Sequence, residues 1–97
     1  MADLTPKEIL EGARNLIRVP QLWVKGELSN GGRYCALGAI SKFAVGRREY
    51  NVAPEAEELL RSVLPEDEAI MDFNDKGTHR CVLVAFDAAI EKAGADD

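Results

Sequence analysis

The chain reads as all-α: a compact single domain of four main helices with short connecting helical turns. Three observations lead there. Apolar residues recur at spacings of three and four in separate stretches of the sequence. Hydroxyl, proline and glycine signals bracket those stretches as helix starts and stops. No stretch alternates with period two over a convincing length, so no strand competes.

The first helix has the clearest start. Thr5-Pro6-Lys7-Glu8 supplies a hydroxyl N-cap, proline at the first helical position and an acid three residues after the cap. Ile9, Ala13, Leu16 and Ile17 then fall at helical spacing until Pro20 closes the element near Val19. Glu8 and Glu11 lie early and Arg14 and Arg18 late, which suits the helix dipole. Residues 21–34 (QLWVKGELSNGGRY) read as a short turn and a mobile loop, because Gly26 and Ser29-Asn30-Gly31-Gly32 interrupt any regular element. Trp23 anchors this connection to the core if its indole N–H finds an acceptor; its other reading is a ligand-stacking ring.

The second helix is expected from about Tyr34 to Val45. Ala36, Ala39, Ile40, Phe43 and Ala44 share its inner face, and Gly38, Ser41 and Lys42 fall opposite. Residues 46–53 connect to a third helix from Pro54 to about Leu64, with Glu57 and Arg61 spaced as an i,i+4 pair. Pro65 ends it. The stretch AIMDF offers a short helical segment, and FNDKGT at 73–78 reads as a break carrying two candidate caps, Asp75 and Thr78. The last helix then runs from about Thr78 to Ala93, with Val82, Phe86, Ala89 and Ile90 on its core face, Gly94 as its stop and residues 91–97 as a frayed tail.

A length of 97 residues suits one core and is too short for two. With 46% apolar and 30% charged residues, the composition is that of an ordinary globular domain and excludes a disordered or low-complexity chain. No apolar run approaches the roughly 20 residues of a membrane helix, and MADLTPKEIL lacks the pattern of a signal peptide, so a cytoplasmic protein with no membrane partner is expected. In that reducing compartment Cys35 and Cys81 are expected as free thiols. One histidine, His79, and no CxxC spacing leave a zinc site without ligands, and neither metal nor cofactor is expected.

The net charge of −5 argues against a nucleic-acid binder, since such proteins neutralise phosphates. The charge is unevenly distributed. Residues 33–48 carry Arg33, Lys42, Arg47 and Arg48 with no acid, whereas residues 55–75 carry eight acids against Arg61 alone. The two stretches read either as solvated faces or as a partner-binding patch.

One constellation could carry chemistry. Cys35 stands where a glycine-rich loop enters a helix, and the partial positive charge of a helix N-terminus favours a thiolate. His79 faces inward on the last helix, so the two could meet as nucleophile and base, with Asn74, Asp75 or Asp87 orienting the imidazole. The structural alternative makes Cys35 a small buried residue and leaves His79 hydrogen-bonded to the FND turn. Asn74-Asp75 divides in the same way between capping through side-chain oxygens and binding a ligand or ion. No GxxxxGK[ST] is present, Gly31-Gly32 follows no strand, and RYCALGAISKF offers few side chains suited to reading bases.

Taken in order, Leu16-Ile17, Trp23 and Gly26, GRYCALGAI at 32–40, IMDFND at 70–75, Thr78 and FDAAI at 86–90 resemble an uncharacterised family of small proteins from actinobacteria and their phages. The resemblance implies a mycobacteriophage product working in the host bacterial cytoplasm. It also implies a packing role for the aromatic at position 73, here Phe73, and His79 stands outside its pattern. The expected function is a non-enzymatic accessory protein that binds a host protein and modulates host physiology, with Trp23, Lys25, Arg33, Arg47 and Arg48 as contact residues. Thr5, Cys35, Phe73, Asn74, Asp75, Thr78 and Phe86 are assigned to structure. Two alternatives are a small cysteine-dependent hydrolase or transferase using Cys35 and His79, and a homodimeric structural or regulatory subunit.

Overall fold

The computed structural model describes residues 4–46, 52–65 and 68–95. Helix α1 spans Pro6–Leu16, and a short 3-10 turn follows at Pro20–Leu22. Two-residue strands β1 (Ser29–Asn30) and β2 (Arg33–Tyr34) come next, then α2 (Ala36–Gly46), α3 (Ala53–Ser62), α4 (Ile70–Lys76) and α5 (His79–Ala95). The described residues thus contain five α-helices where the sequence predicts four. Arg47 and Arg48, the two expected contact residues that follow α2, lie outside the described residues.

Helix α1 starts as its local chemistry dictates. The Glu8 backbone N–H donates to Thr5 Oγ1 at 3.2 Å, and the Thr5 N–H donates to Glu8 Oε1 at 3.0 Å, so two orphan donors are satisfied reciprocally. The helix buries Ile9, Leu10 and Ala13 and ends earlier than Pro20 requires, with Ile17 as its buried C-cap. It packs against α2, α3 and α5. The core between them gathers Ile9, Leu10 and Ile17 with Ile40, Leu60 and Phe86, while Ala36, Ala39 and Ala44 let α2 approach closely.

Two expectations for the middle of the chain fail for tertiary reasons. Residues 23–34 do not form a free loop: Trp23 bridges to Tyr34, and β1 pairs antiparallel with β2 in the register Ser29 to Tyr34 and Asn30 to Arg33. Gly31 and Gly32, with φ of 59° and 88°, make the two-residue turn between the strands, and a hairpin of this kind needs positive φ at both positions. The second failure is FNDKGT, which is not one long break. Phe73 to Lys76 complete α4, and the chain turns only at Gly77-Thr78.

Gly38 is also reassigned. Instead of facing away from the core, it is buried, and a Cβ at this position would collide with the backbone carbonyl of Leu28. The hairpin arm therefore lies directly on α2. Alanine at a helix interior position ordinarily gains about 1 kcal/mol over glycine. Here the collision is with backbone, which cannot rotate away, so Gly38→Ala is expected to destabilise by about 1–3 kcal/mol. Urea titration checks this: a midpoint equal to or above that of the parent would mean the arm does not press on α2.

Candidate functional site

The polar centre of the molecule forms where α4 meets the base of the hairpin arm and the start of α2. Asn74, on α4, is fully buried. Its Oδ1 accepts from Trp23 Nε1 at 2.6 Å and from the Ala36 backbone N–H at 2.9 Å. Its Nδ2 donates to the Val24 carbonyl at 3.0 Å and to Asp75 Oδ1 at 3.1 Å. Two donors face one end of the amide and two acceptors the other, so the four bonds fix its orientation.

Each partner is committed in turn. Val24 donates its own N–H to the Tyr34 carbonyl at 3.1 Å, which ties the arm to β2. Asp75 Oδ1 also accepts from the Gly26 N–H at 2.8 Å, at a glycine whose φ of 77° is left-handed. The Gly26 N–H and then the Asn74 amide hold the Asp75 carboxyl below the usual aspartate range, with the Lys25 charge adding a smaller pull. Lys25 Nζ lies 5.6 Å from the centroid of the Trp23 ring, within reach of a cation–π contact.

Cys35 sits at the same junction as the N-cap of α2. Its carbonyl accepts from Ala39 N at 2.8 Å, its sulfur accepts from Gly38 N at 3.3 Å, and its N–H donates to the Leu28 carbonyl at 3.2 Å. The thiol takes the place that a serine or aspartate oxygen usually fills. Asn74 satisfies the next orphan donor, Ala36 N–H, so the start of α2 is closed by one neighbouring side chain and one remote one. Cys35 is fully buried.

His79 opens α5, half-buried, with its ring tilted 55° to Trp23 at 5.7 Å between centroids. Its Nε2–H donates to the carbonyl of Ile17 at 2.6 Å, so the imidazole caps the C-terminus of α1 and does not bond the FND segment. Among the described residues no hydrogen bond joins Cys35 to His79. Asp87, the third group considered for orienting the imidazole, faces Arg14 instead: Arg14 Nε lies 2.6 Å from Asp87 Oδ1, and Nη2 donates to Oδ2 at 3.3 Å.

The structure thus gathers Trp23, Lys25, Asn74, Asp75 and His79 into one cluster and attaches the Cys35 end of α2 to it. The remaining sequence candidates lie elsewhere. Thr5 caps α1, Thr78 Oγ1 accepts from Cys81 N at 3.1 Å to cap α5, Phe86 is fully buried in the core, Phe73 is half-buried, and Arg33 is exposed on β2. The acidic segment is partly neutralised within the fold by Glu58 with Arg61 at 3.7 Å and Glu68 with Lys76 at 2.7 Å. Arg61 pairs with Glu58 rather than with the expected Glu57, whose half-buried carboxyl is pushed up by desolvation while Arg61 pulls it down.

The thiol that reagents can reach is Cys81, which carries no local signal of its role in the sequence. It is exposed in the first turn of α5, and the Thr78 hydroxyl and backbone pull its thiol below the ordinary cysteine range. Among the described residues no group of three or more His, Cys, Asp and Glu side chains could hold a metal ion, and no helix is long and apolar enough to cross a membrane. Chemically, the cluster is a set of satisfied hydrogen bonds that fastens an exposed arm to a helical core.

The family of unknown function DUF6197 matches residues 1–92. No curated protein and no solved structure matches the chain.

Two measurements check this geometry. Asn74→Asp keeps the shape of the side chain but turns its donor end into a second acceptor against the Val24 carbonyl and the Asp75 carboxylate. A buried unpaired charge typically costs about 3–5 kcal/mol, and a loss of that order is expected at neutral pH by denaturant titration; parent-like stability would mean that Asn74 does not organise the junction. In the second measurement, iodoacetamide followed by mass spectrometry is expected to label Cys81 in the native protein and Cys35 only on unfolding. Native labelling of Cys35 ahead of Cys81 would contradict its role as a buried cap.

Proposed function

The chain belongs to the family of unknown function DUF6197, and we propose that it is a non-enzymatic binding protein, a phage accessory factor that engages a host protein in the cytoplasm of an actinobacterium. The observation that carries this reading is the way the exposed hairpin arm is held. Glu27, Asn30 and Arg33 stand in solvent at its tip, while its base is fastened through Trp23, Val24 and Gly26 to the Asn74–Asp75 pair. A buried polar network that orders an exposed loop reduces the entropy a loop loses when it binds, and a preordered surface gains affinity by that route.

Support also comes from what the polar residues already do. The residues that would serve a nucleophile are committed as caps: Cys35 Sγ to Gly38 N, His79 Nε2 to the Ile17 carbonyl and Asn74 to four partners. Charge sorting fits an interaction protein as well, since basic residues predominate on one stretch of an otherwise acidic chain.

The test is affinity capture from mycobacterial lysate with the parent and with a variant carrying Glu27→Lys and Arg33→Glu. Both positions are exposed, so the fold should survive the change. The parent is expected to retain at least one specific protein, with recovery falling about tenfold or more in the variant, since a few contact residues dominate most interfaces. Identical capture by both proteins would remove the arm from the reading. Capture that is intact in Cys35→Ala and His79→Gln is expected, and its loss in both would bring the cysteine chemistry forward.

A further inference from the structure

The tip of the hairpin arm brings together the groups that convert a side-chain amide into an acid. Of the chain's four asparagines, Asn51 lies outside the described residues. Asn74 is buried with both ends of its amide bonded, and Asn15 stands inside α1 with the bulky Leu16 next in sequence. Asn30 differs from both. It is exposed in β1, and the residue after it is Gly31.

An asparagine loses its amide when the backbone nitrogen of the following residue, stripped of its proton, attacks the side-chain carbon and closes a succinimide ring. Three features of the arm meet that requirement. Among the described residues the Gly31 N–H takes part in no hydrogen bond, so no partner is given up when its proton leaves. Gly31 also has no side chain to obstruct the attack, and a Cβ placed there would meet nothing within 4 Å. The third feature is electrostatic. When the Gly31 N–H ionises, its negative charge is shared with the Asn30 carbonyl oxygen, to which Arg33 Nε donates at 3.4 Å. A cation facing that oxygen favours the ionised form.

We propose that Asn30 is a site of spontaneous deamidation in the folded protein, with the Gly31 backbone nitrogen as nucleophile and Arg33 assisting its ionisation. Solvent hydroxide removes the Gly31 proton and the nitrogen bonds to Asn30 Cγ. The Cγ–Nδ2 bond breaks, and Nδ2 takes a proton from water and leaves as ammonia. Water then opens the ring. Addition at Cγ gives aspartate, whereas addition at the former backbone carbonyl gives isoaspartate, in which the chain runs through Cβ and Cγ. One water is consumed and one ammonia released, and nothing is oxidised or reduced.

Both products alter the arm. Asn30 Nδ2 donates to Glu27 Oε2 at 2.8 Å; in the aspartate form a carboxylate replaces that donor, and a hydrogen bond becomes a like-charge contact. The isoaspartate form lengthens the backbone at the Asn30 to Arg33 pair that closes the turn. Strands of two residues have no further rungs to hold their register. The chemistry is independent of what the arm binds.

The test incubates the full chain in buffers from neutral to mildly alkaline pH and digests samples at intervals, with the zero-time digest as background. Mass spectrometry follows the peptide that carries residue 30, and methylation by protein isoaspartyl methyltransferase scores the isoaspartate. Asn30 is expected to convert at a rate that rises in proportion to hydroxide, while Asn15 and Asn74 stay amides over the same period. Arg33→Gln is expected to slow conversion about threefold or more, the order that one long charge-assisted hydrogen bond supplies. Arg33 is exposed, and protection of the Cys35 N–H, bonded to the Leu28 carbonyl, reports that the arm of the variant is still docked. In urea, where the Arg33 contact is gone, parent and variant are expected to convert at the same rate. The isoaspartate form, separated by ion exchange, is expected to lose hydrogen-exchange protection at Cys35 N–H while α1 and α5 keep theirs. An Asn30 that stays intact in the native protein, or equal rates for the folded parent and variant, would overturn the proposal. So would a difference that persists in urea, since it would owe nothing to the fold, and unchanged protection in the isoaspartate form would overturn the effect on the arm.

Discussion

Four hydrogen bonds converge on the buried amide of Asn74, and they join three parts of the chain that are far apart in sequence: the arm at Trp23 and Val24, the start of α2 at Ala36, and α4 with its neighbour Asp75. A buried amide with any of these partners missing would carry an unmet donor or acceptor at about 1–3 kcal/mol each. The three segments are therefore held together as a unit. The position of the arm, the first turn of α2 and the helical continuation of α4 through Asn74 follow from the same constraint.

That constraint reaches the surface through α2. With Cys35 and Asn74 closing its N-terminus, the helix has one direction relative to the arm, and the Leu28 carbonyl comes to rest on Gly38. Only glycine allows that approach. The inner face of α2 then packs Ala36, Ala39, Ile40 and Ala44 against the core, and the outer face presents Lys42 and Val45 to solvent. The buried polar junction and the exposed face belong to one helix, so the interior hydrogen bonds fix how that face is presented.

Much of the helical layout is legible in the order of residues alone. Thr5, Pro6 and Glu8 mark the start of α1 because a capping box is completed within four residues, and the core face of α5 follows from Val82, Phe86 and Ala89 at helical spacing. The reading of residues 73–78 as a break comes from the weak helix propensity of Asn and Asp, which tertiary hydrogen bonds to Asn74 override. The hairpin has a local signal, the Gly31-Gly32 pair between Asn30 and Arg33, but two-residue strands are too short to show alternation. The pairing of His79 with Ile17 has no signal in the sequence, because the two residues are 62 positions apart and neither type specifies the other.

By itself the sequence determined the helical class, the start that Thr5, Pro6 and Glu8 set for α1, the apolar faces of α1 and α5 and the sorting of charge that leaves residues 33–48 without an acid. These are properties of neighbours along the chain, where periodicity and capping act over a turn or two. Only the tertiary structure decided that Asn74 is a hub rather than a turn residue, and that Cys35 is a buried cap and Cys81 the exposed thiol. Hydrogen bonding and burial are settled by which remote groups arrive at a side chain, and residue type leaves that choice open until the core has brought the helices together.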